Sequence, residues 1–330
     1  MAIRVLPSQI IEMLASRRHR LRHFLWHAVR SAWNNPQLTD EVKAFIRDKG
    51  WGPPNDRVPL DAKRKLILDN HSGEDFLYMH RQMIKEVSEL LDQLEEQSLT
   101  FWRSIPKPGG HPDFALPPAW SYDDPSESAA TNAAMTARLQ RVKSDAYFRD
   151  TIVTWEAFYT NPANLAQLSL GALGNLLEMT IHNNLHMRWA SVPIGYMPSP
   201  NFDDTRDIDP KWDATSYDYL GDTNSSHVNP IFWYLHGWVD SRIDRWAAAN
   251  RVSEIACIGT WTGKLEEGWT HGAPEALTAS VRREAMGGHA HGHAGHEQDG
   301  EDIREMEAIV RKLGSCKVIR NFYDVLRDPK

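Results

Sequence analysis

"HFLWHAVRSAW", residues 23–33, carries two histidines four positions apart among aromatic and aliphatic residues. The apolar residues of the surrounding stretch, 8–33, recur with a period close to 3.6, which predicts a helix. In a helix, positions i and i+4 lie one above the other on the same face. His23 and His27 would therefore point two imidazoles in one direction, toward a side of the helix where core residues are expected.

The composition of the chain limits the classes of protein it can belong to. Its 330 residues are 41% hydrophobic and 25% charged, as in an ordinary globular protein with a full core. A net charge of −7 argues against nucleic acid as the main partner, because phosphate binding needs a concentrated basic face. We find no membrane-spanning apolar run and no secretory leader pattern, so we expect no membrane partner and a cytoplasmic location.

The pattern along the chain predicts a mainly α fold, a helical bundle with long connecting loops. Helical periodicity covers 8–33, 61–97, 130–160, 163–190 and 231–250, and Thr39 or Asp40 could cap a further helix. Long loops are predicted at 104–128 and 193–230. We expect residues 1–250 to form the main helical domain and 251–330 a C-terminal extension, a candidate lid. Its His/Gly-rich stretch, 287–300, is expected to be disordered.

The spacing of the first histidine pair returns at His182 and His186, in "EMTIHNNLHMRW". His80 and His236 lie on apolar helical faces and could each complete one pair. The HExxH pattern of zinc proteases fails because Asn183 stands at its glutamate position. Two sets of three imidazoles without a cysteine ligand suit copper, with zinc a chemical alternative. The simpler interpretation is that these are buried histidines whose hydrogen bonds are satisfied.

Four segments together resemble the type-3 copper proteins, and within that family the arthropod hemocyanins and prophenoloxidases. "HFLWHAV" and "GEDFLYMHRQ" resemble the copper-A segments of the family, and "IHNNLHM" and "DTNSSHVNPIFWYLHGWVD" resemble its copper-B segments. They occur in the family's order, and the resemblance covers about residues 20–245. It implies that residues 1–250 are a type-3 dicopper domain, with a dinuclear copper site between two antiparallel helix pairs.

The resemblance also implies which histidines bind each copper ion. Copper A would bind His23, His27 and His80, and copper B would bind His182, His186 and His236. His71 is a competitor for copper A, because tyrosinases space their last two copper-A ligands nine residues apart, as His71 and His80 are. The alternative set is therefore His27, His71 and His80.

The family's chemistry predicts an oxidoreductase that uses dioxygen on a small phenolic or aminophenolic substrate. The expected reactions are hydroxylation of monophenols and oxidation of o-diphenols or o-aminophenols to quinones. Reversible oxygen carriage, as in hemocyanins, is the alternative, and a zinc hydrolase or a degenerate scaffold is a third class. Glu178 and Asn183 are candidate catalytic residues, since similar enzymes place a glutamate and an asparagine near copper B to accept the phenol's proton. Otherwise Glu178 is a surface residue that supports its helix. A copper chaperone is a candidate partner.

Overall fold

The computed structural model describes residues 3–54, 57–123, 128–192, 210–255, 260–264 and 294–318. Within these ranges the protein is mainly α-helical, as predicted, and contains no β-strand apart from one isolated bridge, Leu60–Leu66. No helix in the described part combines the length and the apolar character needed to cross a membrane. The helices are α1 Ser8–Ala15, α2 Arg17–Ala32, α3 Asp40–Asp48, α4 Ser72–Gln93, α5 Ala129–Lys143, α6 Asp145–Tyr147, α7 Val153–Thr160, α8 Pro162–Leu165, α9 Leu170–Leu177, α10 Asn183–Trp189, α11 Pro230–Asn250 and α12 Ala294–Ser315.

Side chains with a capping role explain most helix boundaries. Thr39 caps α3 through its hydroxyl oxygen, which accepts a hydrogen bond from Val42 N at 3.3 Å. Ser16 has an extended backbone and caps α2, so the helical stretch predicted over 8–33 is divided there into α1 and α2. Ser144 divides the stretch predicted over 130–160 in the same way. The helix predicted from residue 61 begins only at Ser72, after a left-handed residue at His71.

Two glycines let α4 and α9 pack with their backbones in contact. A Cβ atom on Gly73 would lie 2.0 Å from the Gly171 carbonyl oxygen, and one on Gly174 would lie 2.0 Å from the Gly73 carbonyl oxygen. Real side chains do not approach that closely, so only glycine fits at this crossing. Because α4 carries His80 and α9 leads into the segment of His182, this crossing sets the distance between two predicted ligands.

The segment between α9 and α10, Glu178–His182, is a π-helical turn. We expected α-helical geometry here, with Glu178 one turn before His182 on the same face. A π-turn is bonded from i to i+5 and is wider than an α-helical turn, so the two side chains are set at different angles. Turns of this kind often occur at functional sites.

Two buried basic side chains join the C-terminal ends of α5 and α10. Lys143 Nζ, from α5, donates to the Arg188 and Ala190 carbonyls at 2.8 and 2.7 Å. Arg188 Nη1 in turn donates to the Val142 carbonyl at 2.7 Å. Each helix end thus receives hydrogen-bond donors from the other, which satisfy carbonyl groups that the last turn of a helix leaves without a partner. These hydrogen bonds hold α10, the helix that carries His186, against α5.

The described part of the C-terminal extension packs on the N-terminal helices. α12 lies against α2 and α3, and its Glu307 and Asp302 pair with Arg17 and Arg18 of α2 at 2.8 and 3.1 Å. Of the stretch expected to be disordered, 287–300, residues 294–300 form the start of α12, whose later residues Met306, Ile309 and Val310 are buried. Residues 287–293 lie outside the described ranges.

Candidate metal centre

Six buried histidines meet at the centre of the bundle. α2 supplies His23 and His27, and α4 supplies His80. His182 ends the π-turn, His186 lies on α10, and His236 lies on α11. These are the six residues that the sequence predicts as ligands, and the structure brings all of them into one cluster.

The three histidines expected at copper B form a tight triangle. Nε2 of His186 lies 3.0 Å from Nε2 of His182 and 3.1 Å from Nε2 of His236, and the third side, His182 to His236, is 3.3 Å. A tetrahedral ion with metal–nitrogen bonds of about 2.0 Å holds its ligands about 3.3 Å apart. The triangle therefore has close to the dimensions that three imidazoles need to share one ion.

The other half of the cluster is more open. His23, His27 and His80 each offer a nitrogen, and the three nitrogens lie within 4.8 Å of one another. Nitrogens of His80, His182 and His236 satisfy the same limit, and the His80 ring stacks on the His236 ring with centroids 4.2 Å apart. His80 therefore stands between the two halves, so the six residues form a continuous group that could hold one or more ions.

Hydrogen bonds on the outer side of the rings determine which nitrogens face inward. Nδ1 of His80 lies 2.8 Å from the Phe76 carbonyl oxygen, and Nδ1 of His186 lies 2.8 Å from the Leu220 carbonyl oxygen. A carbonyl oxygen can only accept, so both Nδ1 atoms carry the proton and both Nε2 atoms carry a lone pair. The same tautomer suits His182, whose Nδ1 lies 2.9 Å from Asn183 Oδ1.

These tautomers make a bound cation the natural occupant of the centre. The facing Nε2 atoms of His182 and His186 both carry lone pairs, which repel each other at 3.0 Å unless a positive group lies between them. Nε2 of His80 is buried and has no hydrogen-bond partner among the described residues. An unpartnered buried nitrogen is costly in a protein without a ligand, and it is what a metal ion would satisfy.

Burial keeps the imidazoles neutral. Desolvation lowers the pKa of His23 to about 3 and the pKa of His186 to about 4. It also lowers the pKa of His27, His80, His182 and His236 well below the usual histidine value, and the neighbouring histidines contribute to each of these shifts. Neutral imidazole is the form that binds metal, so the cluster is in its binding state at neutral pH.

Glu178 is a buried residue that contacts the cluster. Its carboxylate oxygens accept two hydrogen bonds from Arg30, at 2.8 and 3.1 Å, and Oε1 lies 3.8 Å from Nδ1 of His27. The alternative of a surface glutamate is therefore wrong. Arg30 also donates to the Ser72 carbonyl at 2.7 Å and stacks over the Trp26 ring. Asn183, the other candidate catalytic residue, is buried beside His182 as described above.

The competing histidine, His71, lies away from the cluster. Its side chain is 59% exposed at the start of α4, where Nδ1 is 3.1 Å from Glu74 Oε1. The copper-A set that includes His71 would need this side chain to move into the core. The geometry favours the set that contains His23.

Several residues of the site were not foreseen from the sequence. Arg30 follows His27 by three positions, but nothing in its neighbourhood indicates that it pairs with Glu178, 148 residues away. Phe232 precedes His236 by one helical turn, and the centroids of the two rings are 3.8 Å apart. The i, i+4 spacing of these two residues could have predicted this contact. The Leu220 carbonyl, which accepts from His186, lies in a loop whose sequence does not indicate the contact.

The comparisons with known proteins leave the family open. No protein-family model matches the chain, and the search of the curated proteins gives no match either. The resemblance to type-3 copper proteins therefore remains a hypothesis, supported by the order of the motifs and by the convergence of six histidines.

Proposed function

We propose that this protein is a copper-dependent phenol oxidase with a dinuclear site of the type-3 class. The observation that supports it best is the convergence of six buried, neutral imidazoles from four parts of the chain, three of them in a triangle of 3.0–3.3 Å. Imidazole-only sites suit copper and zinc better than magnesium or calcium. The order of the four motifs, as in the type-3 proteins, favours copper over zinc.

The ligand set of the proposal follows the sequence prediction. His23, His27 and His80 would hold one copper, and His182, His186 and His236 would hold the second. Two copper ions bound there would supply dioxygen binding and two-electron oxidation of a phenol. The apolar rings around the imidazoles, including Phe76, Phe232 and Trp26, would exclude water from the centre.

The substrate side of the reaction needs a proton acceptor. A monophenol must lose its proton when it reacts, and Glu178 and Asn183 remain our candidates for that function. Glu178 is the carboxylate that faces His27, and its two hydrogen bonds from Arg30 fix its orientation. Asn183 orients His182 through the contact at 2.9 Å. Dioxygen and a small phenol or aminophenol would be the substrates, and a chaperone could deliver the copper.

Aerobic turnover separates the enzyme from the oxygen carrier. The purified protein is stripped of metal, reloaded with copper, and assayed with a monophenol and with the corresponding o-diphenol. We expect quinone formation that requires copper, and a near-ultraviolet absorption band of the type-3 class when the loaded protein is treated with hydrogen peroxide. The His71→Asn variant, altered at an exposed histidine, should behave as the unmodified protein.

Three other outcomes would count against the proposal. The absorption band without turnover of either substrate would favour the oxygen carrier. Zinc-dependent hydrolysis in place of oxidation would favour the hydrolase. Two bound coppers without the band or turnover would remove the type-3 assignment.

A further inference from the structure

A seventh buried histidine, His227, lies against the cluster without belonging to either group of ligands. It sits in the short turn Ser226–Val228, just before α11. Its Nδ1 is 3.1 Å from Nδ1 of His23, and its Nε2 is 2.9 Å from the Leu14 carbonyl oxygen. A single imidazole thus joins the backbone of α1 to a predicted copper-A ligand.

These two contacts decide where the protons are. The Leu14 carbonyl can only accept, so Nε2 of His227 must carry a proton. In a neutral ring Nδ1 then has the lone pair, and a second lone pair cannot face it at 3.1 Å. Nδ1 of His23 must therefore carry a proton, which leaves the lone pair of His23 on Nε2.

The surroundings keep His227 neutral. Burial lowers the pKa of His227 well below the usual histidine value, and His23, Arg20 and His19, all on α2, add to that shift. His23 also has a hydrogen bond to the Thr223 backbone, which raises the pKa of His23 against the larger effect of burial.

The turn that carries His227 is held in place by polar contacts. Asp222 accepts hydrogen bonds from the Ser225 backbone and hydroxyl, both at 2.6 Å, and Arg20 donates to the Tyr217 carbonyl at 2.8 Å. The position of His227 is therefore set by the loop, independently of His23.

We propose that His227 is a positioning residue that holds His23 in the tautomer whose Nε2 binds copper A. Outer hydrogen-bond partners of this kind orient metal-ligating histidines and typically change metal affinity by 10–100-fold when they are removed. The inference rests on the proposed copper centre, and it concerns only the half of the centre that contains His23.

The test compares two replacements of His227. His227→Phe keeps a flat ring but removes both hydrogen bonds. His227→Asn places an amide near the position of Nδ1, where its oxygen can accept from His23. We expect the phenylalanine variant to bind one copper with unchanged affinity and the second about 10–100-fold more weakly. The asparagine variant should bind the second copper almost as tightly as the unmodified protein does.

Nitrogen NMR of the metal-free protein gives a readout that a purely structural role would not change. Imidazole ¹⁵N shifts report which nitrogen of His23 carries the proton. We expect the Nδ1–H form in the unmodified protein and in His227→Asn, and a mixture of tautomers or the Nε2–H form in His227→Phe. Retention of the first copper shows that each variant is folded.

The inference and the function it rests on fail in different ways. If His23→Ala loses one copper while His227→Phe binds both like the unmodified protein, His227 has no positioning role although the copper centre stands. An Nε2–H proton on His23 in the unmodified protein would also overturn it. If His23→Ala itself retains two coppers, the proposed ligand set is wrong.

Discussion

At the scale of single residues, the paired histidines of the cluster are brought together by local helix geometry, and several of the six are oriented by contacts from distant parts of the chain. Each H-x₃-H pair lies on consecutive helical turns, so the convergence within a pair follows from local geometry. The partners of these histidines are tertiary contacts. Arg30 reaches Glu178 across 148 positions, and His227 reaches Leu14 across 213. No local sequence pattern indicates contacts between residues so far apart in the chain. For this reason the sequence alone could not decide whether Glu178 is a catalytic base or a surface residue.

The Glu178–Arg30 pair gives the first prediction. Glu178→Gln removes the negative charge and leaves the buried guanidinium of Arg30 without a counter-charge, which typically costs about 3–5 kcal/mol. We expect a loss of about that size in the free energy of unfolding, measured by urea denaturation of the metal-free protein. The exposed Glu89→Gln variant, whose pair with Lys85 is on the surface, should change it by less than about 1 kcal/mol.

The catalytic role of Glu178 is a separate prediction with a separate readout. If its carboxylate accepts the phenol's proton, Glu178→Gln should slow monophenol hydroxylation by roughly 10²–10⁴ while o-diphenol oxidation and copper content remain largely intact. A variant that is less stable but equally fast on both substrates would leave Glu178 with a structural role alone. Addition of Arg30→Gln should then recover part of the lost stability.

At the scale of helices, the existence of most elements was predictable and their interruptions were not. The apolar period of 3.6 continues through Ser16, Ser144 and the π-turn at Glu178–His182, so periodicity alone does not show where the backbone changes. The late start of α4 has a tertiary cause, because residues before Ser72 bond to distant groups. One example is Asn175 Nδ2, which donates to the Ile67 carbonyl at 2.9 Å.

The crossing of α4 and α9 provides a prediction at this scale. Gly174→Ala would place a Cβ atom 2.0 Å from the Gly73 carbonyl oxygen, so the two helices must separate. We expect a loss of at least about 1–3 kcal/mol in the free energy of unfolding, as for overpacked cores. Copper affinity should fall as well, because His80 and the segment of His182 move apart.

A second glycine serves as the matched control for this crossing. A Cβ atom on Gly300 of α12 would lie 3.4 Å from the Arg304 side chain, which is an ordinary contact. Gly300→Ala should therefore be neutral or stabilise the helix by up to about 1 kcal/mol. Equal effects of the two substitutions in thermal and urea unfolding would show that the crossing is not tight.

At the scale of the whole molecule, the metal-free protein should be sensitive to acid. Seven buried histidines, the six of the cluster and His227, have their pKa lowered chiefly by burial. The unfolded chain binds protons on them near pH 6.5 and the folded chain does not, so stability falls as pH is lowered below about 7. Between pH 7.5 and 6.0 the loss amounts to about 5 kcal/mol.

Buried carboxylates oppose this trend at lower pH. Burial raises the pKa of Asp75 and of Asp222 to about 6 and also raises the pKa of Asp218 and Asp240, so their folded forms take up protons more readily and favour the folded state. These groups offset only part of the effect of seven histidines. Urea unfolding at several pH values, followed by tryptophan fluorescence, measures the slope. A metal-free protein whose stability is constant between pH 7.5 and 6.0 would contradict the buried, neutral state of the cluster.

The central claim is that the six converging histidines hold two copper ions, and copper content per chain tests it most directly. After reconstitution and removal of loosely bound metal, the account predicts about two coppers in the unmodified protein and in His71→Ala. It predicts about one in His182→Ala, in His236→Ala and in His23→Ala, because each of these variants loses a ligand of one ion only. Full copper content in the variants of the cluster, or loss of copper in His71→Ala alone, would contradict it.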